Sequence, residues 1–420
     1  MALRDRVPPL LRERTFRRYW TGQTISLAGD QISLMAIPLA AVLVLGADAA
    51  AMGWLKTAEL LPALLFNLPF GAWVDRRTGR RRVMIATDLG RAALVLSLPV
   101  AYALDALTLA QLYAVAFGVG ALTVLFEVCN ATLFVALVPT ERYVQANSLV
   151  SGSRSTAWLA GPGVGGLLVQ FLTAPFALVA DALTYLVSAG YLARIGAVEP
   201  PPAPVGKGHF TEGLRWVFAE PSMRGLFAAS GTVQFFNFMF HTLFVLYATT
   251  ALGLGAGLLG LVLATGAVGG LLGAAYSGAA VRRLGIGGAL VAGYLGFALP
   301  LLLVPLAGGP LPLVAGVLFL AEFLSCVGVM VLDVAAGSLQ MALIPDAVRA
   351  RVMGAFRTLN HGFRPLGALV GGLLGTVIGL RPTLWIATVG AVFAVLWLLP
   401  SRLPSMRDLP TREGEPTSAG

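Results

Sequence analysis

The sequence predicts an all-α membrane protein of twelve transmembrane helices, arranged as two six-helix halves in parallel repeat with both termini in the cytoplasm. Three observations predict it. First, 57% of the 420 residues are hydrophobic and only 12% charged, with a mean hydropathy of +0.82, whereas soluble domains carry about 25% charged residues. So little polar surface cannot face water, and lipid becomes the solvent. Second, apolar segments of spanning length recur twelve times. Third, one half of the chain overlays on the other at a single fixed offset.

A helix needs about 20 residues to cross about 30 Å of hydrocarbon. The predicted spans are 19–46, 51–75, 83–104, 107–137, 146–171 and 174–197, then 222–250, 255–280, 286–306, 311–340, 352–379 and 382–401. The connections alternate in charge. Those placed inside carry Arg76 to Arg82, Arg142, Arg194, Lys207, Arg215, Arg282, Arg283, Arg349 and Arg351; those outside carry Asp48 and Asp105, with Arg381 as the lone cation. Basic loops stay in the cytoplasm, which puts both ends there. Residues 1–18 are charged and no cleavage-like signal precedes the first span, so that span is expected to be retained.

The domains follow: a cytoplasmic segment 1–18, a half 19–197, a linker 198–221, a half 222–401 and a disordered cytoplasmic tail 402–420. Pro200, Pro201, Pro202 and Pro204 stiffen the linker. Phe210, Leu214, Val217 and Phe218 then recur at helical spacing, the pattern of a short amphipathic helix on the cytoplasmic surface that ties the halves together. After Pro404 the chain is polar.

The formal charge of +9 sits at helix ends and in alternate loops without an aromatic platform, so it orients a membrane protein and does not bind nucleic acid. Cys129 and Cys326 lie inside apolar segments, and neither a disulfide, a metal site nor a cofactor is expected. Gly161-Pro162-Gly163-Val164-Gly165-Gly166 fits G-x-G-x-x-G, but no strand precedes it; it reads as small-residue helix packing, as do Gly367, Gly371 and Gly375. His209, His241 and His361 have no ligand spacing, and no enzymatic constellation is present. Only Lys56 and Lys207 are lysines, a bias that fits a high-GC bacterium.

Charges inside spans are the informative residues, because each costs about 2.5–3.5 kcal/mol at a helix centre unless paired or hydrated. Asp30 lies near the middle of the first span, Glu127 in the fourth, His241 in the seventh, and Glu322 and Asp333 in the tenth. No cation stands at the level of Asp30 on the second span. Glu127 and Arg154 are equidistant from the loop between spans four and five, so they can pair; by the same count Asp333 is level with Asn360 and His361, with Arg357 and Arg364 a turn either side. These sets either serve function or only neutralise one another. Lys56 and Glu59 form an i,i+3 pair. Asp88 and Arg91 are expected to brace the arginine loop, and Asp181 to be a buried hydrogen-bond acceptor.

The loop Gly71-Ala72-Trp73-Val74-Asp75-Arg76-Arg77-Thr78-Gly79-Arg80-Arg81-Arg82 carries five arginines in seven residues. A shift of 206 positions lays Ser277 to Gly285 on its first nine residues, Asp333 on Glu127, Leu343-Ile344-Pro345 on Leu137-Val138-Pro139, and Gly367, Gly371 and Gly372 on Gly161, Gly165 and Gly166. One ungapped offset across four places marks a repeat. In the copy Val281 replaces Asp75.

The G-x-x-x-D-R-x-x-G-R-R-R pattern closely resembles the loop between the second and third helices of the major facilitator superfamily of secondary transporters, with one residue more (Arg77 and Thr78) before the second glycine. Gly29-Asp30 ahead of Ala36-Ile37-Pro38, Phe126-Glu127-Val128, Ala146-Asn147, Gly161-Pro162 and Pro365-Leu366-Gly367 are similar to its branch of siderophore exporters and macrolide efflux pumps. The resemblance implies that spans 1, 4, 7 and 10 line a central cavity, and that Gly71, Asp75, Arg76, Gly79, Arg80 and Arg81 gate the cytoplasmic side. It implies proton-coupled efflux of a bulky hydrophobic small molecule such as a drug, macrolide or siderophore from the bacterial inner membrane, by a monomer. Candidate substrate and proton residues are Asp30, Glu127, Arg154, Glu322, Asp333, His241 and Arg364. The fourth span lacks the arginine often found there in proton-coupled drug pumps; Arg154 can substitute. An importer or uniporter of the same fold, or a non-transporting membrane receptor, remain the alternatives.

Overall fold

The computed structural model describes residues 8–196, 210–345, 348–401 and 403–408, without the side chains of 210–212 and 350. The expected stiff prolines of the linker, and residues 409–420 of the tail, lie outside the described residues. All regular structure among the described residues is helical. A short α1 (Pro9–Arg12) leads into α2 (Arg14–Leu43), α3 (Ala49–Asp75), α4 (Arg80–Ala103), α5 (Leu109–Leu137), α6 (Tyr143–Leu172) and α7 (Ala174–Ala193). Then come α8 (Phe210–Ala219), α9 (Pro221–Leu246), α10 (Ala256–Leu301), α11 (Leu303–Leu306), α12 (Leu311–Leu343), α13 (Arg349–Val377) and α14 (Leu380–Phe393).

Among the described residues, eight helical runs are long and apolar enough to cross a membrane. One, Ala256–Leu306, has 51 residues, about 77 Å of helix, far more than one crossing needs. It is two spans. The predicted loop between them, 281–285, shrinks to a single break at Gly285, whose backbone (φ 74°, ψ 168°) only glycine adopts without strain. The helices α6, α9 and α13 fall short of that apolarity; they carry Arg154, His241 and Arg364.

The chain clusters into two compact units, Met1–Gly206 with Ala248–Ala264 and Lys207–Tyr247 with Thr265–Gly420. In the first unit α2 packs along α6 and α7, α4 lies against α5 and α7, and α3 against α5. The ends are closed by polar side chains. Asp48 caps α3 by accepting from the Ala51 amide (2.8 Å), and Thr108 caps α5. At the other end Arg81 donates to the carbonyls of Ala193 (3.3 Å) and Ile195, and Arg18 to that of Arg194. The last carbonyls of α7, which have no partner within the helix, are thus satisfied by cations. The glycines of α6 serve packing as expected: a Cβ on Gly165 would stand 3.3 Å from the backbone of Ile32, and one on Gly166 would stand 2.9 Å from Gly260.

In the second unit α9 packs against α13 and α14, and α8 against α13 and α9. Val217 of α8 is buried and Phe218 meets the Phe227 ring edge-on, 5.6 Å between centroids. Gly367 and Gly371 of α13 lie against α9 at Phe235 and Met239. Arg381, the cation at the predicted outer face, donates to the carbonyls of Pro305 (2.7 Å) and Ala307 (3.1 Å), and Arg349 to that of Ile344 (3.0 Å). Residues 403–408 correct the expectation of disorder from 402 onward. The amides of Ile286 and Gly287 donate to the carbonyls of Arg407 (3.0 Å) and Met406 (2.9 Å), and Leu403 is fully buried. A short stretch whose backbone pairs and whose leucine is desolvated has a reason to stay ordered, whatever the polarity around it.

Candidate functional site

Asp30 lies sixteen residues into α2, about 24 Å from its start. The Tyr185 hydroxyl of α7 donates to its Oδ1 at 2.6 Å, and Nη1 of Arg91, from α4, stands 4.0 Å from the same oxygen. Arg91 is buried. Its Nη2 pairs with Asp88 one turn earlier on α4, and its Nη1 reaches the Thr123 hydroxyl of α5 at 3.5 Å. The guanidinium lies over two rings, 4.5 Å from the centroid of Phe126 and 4.3 Å from that of Tyr185. A planar, delocalised cation suits a site that offers aromatic faces and carboxylate edges together. Beside it, Asp181 of α7 accepts from the hydroxyls of Ser33 (α2) and Thr184 (3.3 Å). Gly29 makes this approach possible: a Cβ there would lie 2.9 Å from the Thr184 Cβ and would also run into Asp181 Oδ1.

The cation that Asp30 meets, Arg91, comes from α4, a helix the expectation about the second span did not cover. One expectation is corrected here. Asp88 and Arg91 do not brace the arginine loop: they are sealed in the core of the unit, Asp88 at 0% and Arg91 at 1% exposure. The i,i+3 spacing of Asp88 and Arg91 was legible, but the involvement of Ser33 and Tyr185 was not. Asp181 is the buried acceptor expected of it, and Lys56 pairs with Glu59 at 2.9 Å.

Glu127 and Arg154 are both exposed on α5 and α6. One turn along α5 from Glu127, Asn130 accepts from the Tyr19 hydroxyl at 2.7 Å, while the Thr24 hydroxyl donates to Ser153 at 2.9 Å beside Arg154. His241 is exposed, its ring 5.4 Å from that of Phe240. Asp333 is exposed as well, and the groups expected at its level are engaged elsewhere. Asn360 donates to the Phe356 carbonyl (3.0 Å), the His361 Nδ1 lies 2.7 Å from the Arg357 carbonyl, and Arg364 stacks on Phe238 at 5.1 Å. Glu322 is not open to a cavity. It is buried between α12 and α10, with its Oε2 3.5 Å from where a Gly266 Cβ would be and its Oε1 without a hydrogen-bond partner.

In the arginine loop, Gly79 holds a left-handed conformation (φ 85°, ψ 27°) at the start of α4. Asp75 and Arg76 are exposed, Arg80 is buried, Arg77 lies over the Trp73 ring at 4.4 Å, and Gly71 faces open space. Arg81, expected to gate, caps α7 in this structure.

Long apolar helices with an ionic cluster among them define a polytopic membrane protein. The chain belongs to the Major Facilitator Superfamily, whose family model matches residues 19–363. It is a secondary transporter of the membrane, moving small molecules. Among curated proteins it is 27% identical to the multidrug efflux pump Tap of Mycolicibacterium fortuitum, over 91% of this chain and 94% of that one. Among solved structures it resembles the nucleoside transporter NupG (13% identity, TM-score 0.74, 92% of this chain and 99% of that one). It also resembles a bacterial homologue of the iron transporter ferroportin in an inward-facing state (18%, 0.73, 94% and 99%). At such identities the likeness is one of fold.

Proposed function

We propose that this transporter exports a bulky, mostly apolar small molecule across a bacterial inner membrane by alternating access, in exchange for protons, with both termini in the cytoplasm. The observation that carries the reading is Asp30. It is the member of the ionic cluster that is not sealed, with a third of its side chain exposed, and it is held between a tyrosine hydroxyl and a buried arginine. A carboxylate so placed is pulled toward its neutral form by lost hydration and toward its charged form by Arg91. A conformational change that alters hydration alters which pull wins. Each charge moved down 100 mV supplies about 2.3 kcal/mol, enough for roughly fiftyfold accumulation. The exposed Glu127, Arg154, His241 and Asp333 are assigned to substrate, and Asp75, Arg76 and Arg80 to gating. The name of the 27% identical relative supports a drug-like cargo.

The test uses everted vesicles with an imposed pH gradient, a pH-sensitive dye and a panel of dyes, macrolides and siderophores. Compound-dependent proton release in wild type, lost in Asp30→Asn with insertion intact, is expected. Compound flux without proton movement would replace the reading with a uniporter.

A further inference from the structure

The buried cluster of the first unit does not balance. It contains three carboxylates, Asp30, Asp88 and Asp181, and one cation, Arg91. Arg91 is committed to Asp88 through a direct ion pair, and Asp30 has the same guanidinium at 4.0 Å and a third of its side chain exposed. Asp181 has neither. It is fully buried, and its hydrogen-bond partners are the neutral hydroxyls of Ser33 and Thr184. The charged groups within reach of it are Asp30 of α2, of like sign, and Arg91 of α4; Tyr185 of its own helix is the neighbouring titratable group. The helix α6, which also packs on α7, brings no charge within reach among the described residues. The Asp88–Arg91 pair is equally closed. Asp88 Oδ2 is sealed from solvent without a hydrogen-bond donor, and Arg91 Nε is sealed without an acceptor; the Ser188 hydroxyl stands beside Asp88 without closing a bond to it.

An ionised carboxylate without a counter-ion or water is far costlier than a neutral one. We propose that the cluster is a proton-binding site and that Asp181 holds the proton in this conformation, as a neutral carboxyl whose Oδ2–H donates to the Ser33 hydroxyl across the contact described above. Asp30 is its exchange point with water. In the transfer the Asp181 carboxyl becomes carboxylate and the Asp30 carboxylate becomes carboxyl, so the charge of the cluster is unchanged. It falls by one unit when Asp30 releases the proton, and the next proton restores it. The use made of this proton rests on the coupling proposed above; its presence on Asp181 does not.

Infrared difference spectroscopy of the purified full chain in liposomes, recorded across a pH change, tests the assignment. A protonated-carboxyl component is expected in wild type that is lost in Asp181→Asn, retained in the Glu59→Gln and Glu322→Gln controls, and shifted in frequency in Asp181→Glu. A band unchanged in both Asp181 variants overturns the proposal. Because an amide replaces a neutral carboxyl of the same shape, Asp181→Asn is expected to melt with wild type. If it does not fold, the Asp181→Glu band decides: a shift supports the site and no shift overturns it. A band that belongs to Asp181, with compound flux indifferent to the pH gradient, would overturn proton-coupled export and leave the site standing. Proton-driven flux with the band unaffected would do the reverse.

Discussion

Arg91 is the cation of the sealed cluster, and Arg91→Met removes it while keeping a long, polarisable side chain between Phe126 and Tyr185. The variant leaves Asp88, with no exposure, facing a thioether. Removing one partner of a buried pair costs about 3–5 kcal/mol. The molecule has one escape, which is to fold with Asp88 neutral. At pH 7 that costs about 4 kcal/mol, from an ordinary carboxylate value near 3.9 and about 1.36 kcal/mol for each pH unit above it. The two routes agree on about 4 kcal/mol. The second also sets a sign. The folded variant then binds one more proton than its unfolded form, so its stability rises as pH falls, by about 1.4 kcal/mol per unit. Between pH 7 and pH 5 the variant should recover about 2.8 kcal/mol relative to wild type. The double variant Asp88→Asn/Arg91→Met should recover most of the loss at pH 7 without acid. Melting of the solubilised protein at the two pH values measures both. A single variant as stable as wild type at pH 7, or a double variant no better than the single, would refute the claim that Arg91 and Asp88 are a desolvated ion pair.

Gly29→Leu puts a side chain where Asp181 and Thr184 already stand, so α2 and α7 must separate; a loss of about 1–3 kcal/mol is expected in the same melting assay, and unchanged melting would argue against their close contact. Arg81→Ala frees the last carbonyls of α7 and should cost about 1 kcal/mol, while the exposed Arg82→Ala should cost nothing measurable. If Arg81→Ala impairs transport far beyond its effect on melting, gating is added to the capping seen here. Glu322→Gln should melt within about 1 kcal/mol of wild type, because a buried carboxyl oxygen without a partner marks a neutral group that an amide can replace. A loss of several kcal/mol would show that Glu322 is ionised and paired.

Much of the fold was legible because the bilayer restricts the choices. Apolar runs of spanning length, glycines one turn apart and arginines at alternate ends each report on one helix and its solvent, and a single chain carries that information in order. The capping roles of Arg81, Arg349 and Arg381 show the limit of the charge pattern: it marks which loops are basic, while the carbonyls left open at each helix end decide which arginine is used up. The same limit applies to Asp333, expected level with Asn360 and His361 and with Arg357 and Arg364 a turn either side. Depth along a helix follows from counting, but the direction in which a side chain leaves it does not, and the contacts formed are with Phe238 and the carbonyls of Phe356 and Arg357.

The amino-acid sequence by itself determined that the chain is a bundle of membrane helices and that Asp30 lies at a depth where a charge is costly. Tertiary structure alone decided who meets whom. Asp30, Arg91 and Asp181 come from helices α2, α4 and α7, distant in sequence, and hairpin arithmetic applies only to helices joined by one loop. Their convergence depends on the packing that Gly29 permits and on the rings of Phe126 and Tyr185 that enclose the guanidinium. From that packing comes the imbalance of three acids and one base, because burial is what turns a count of charges into a constraint on protons.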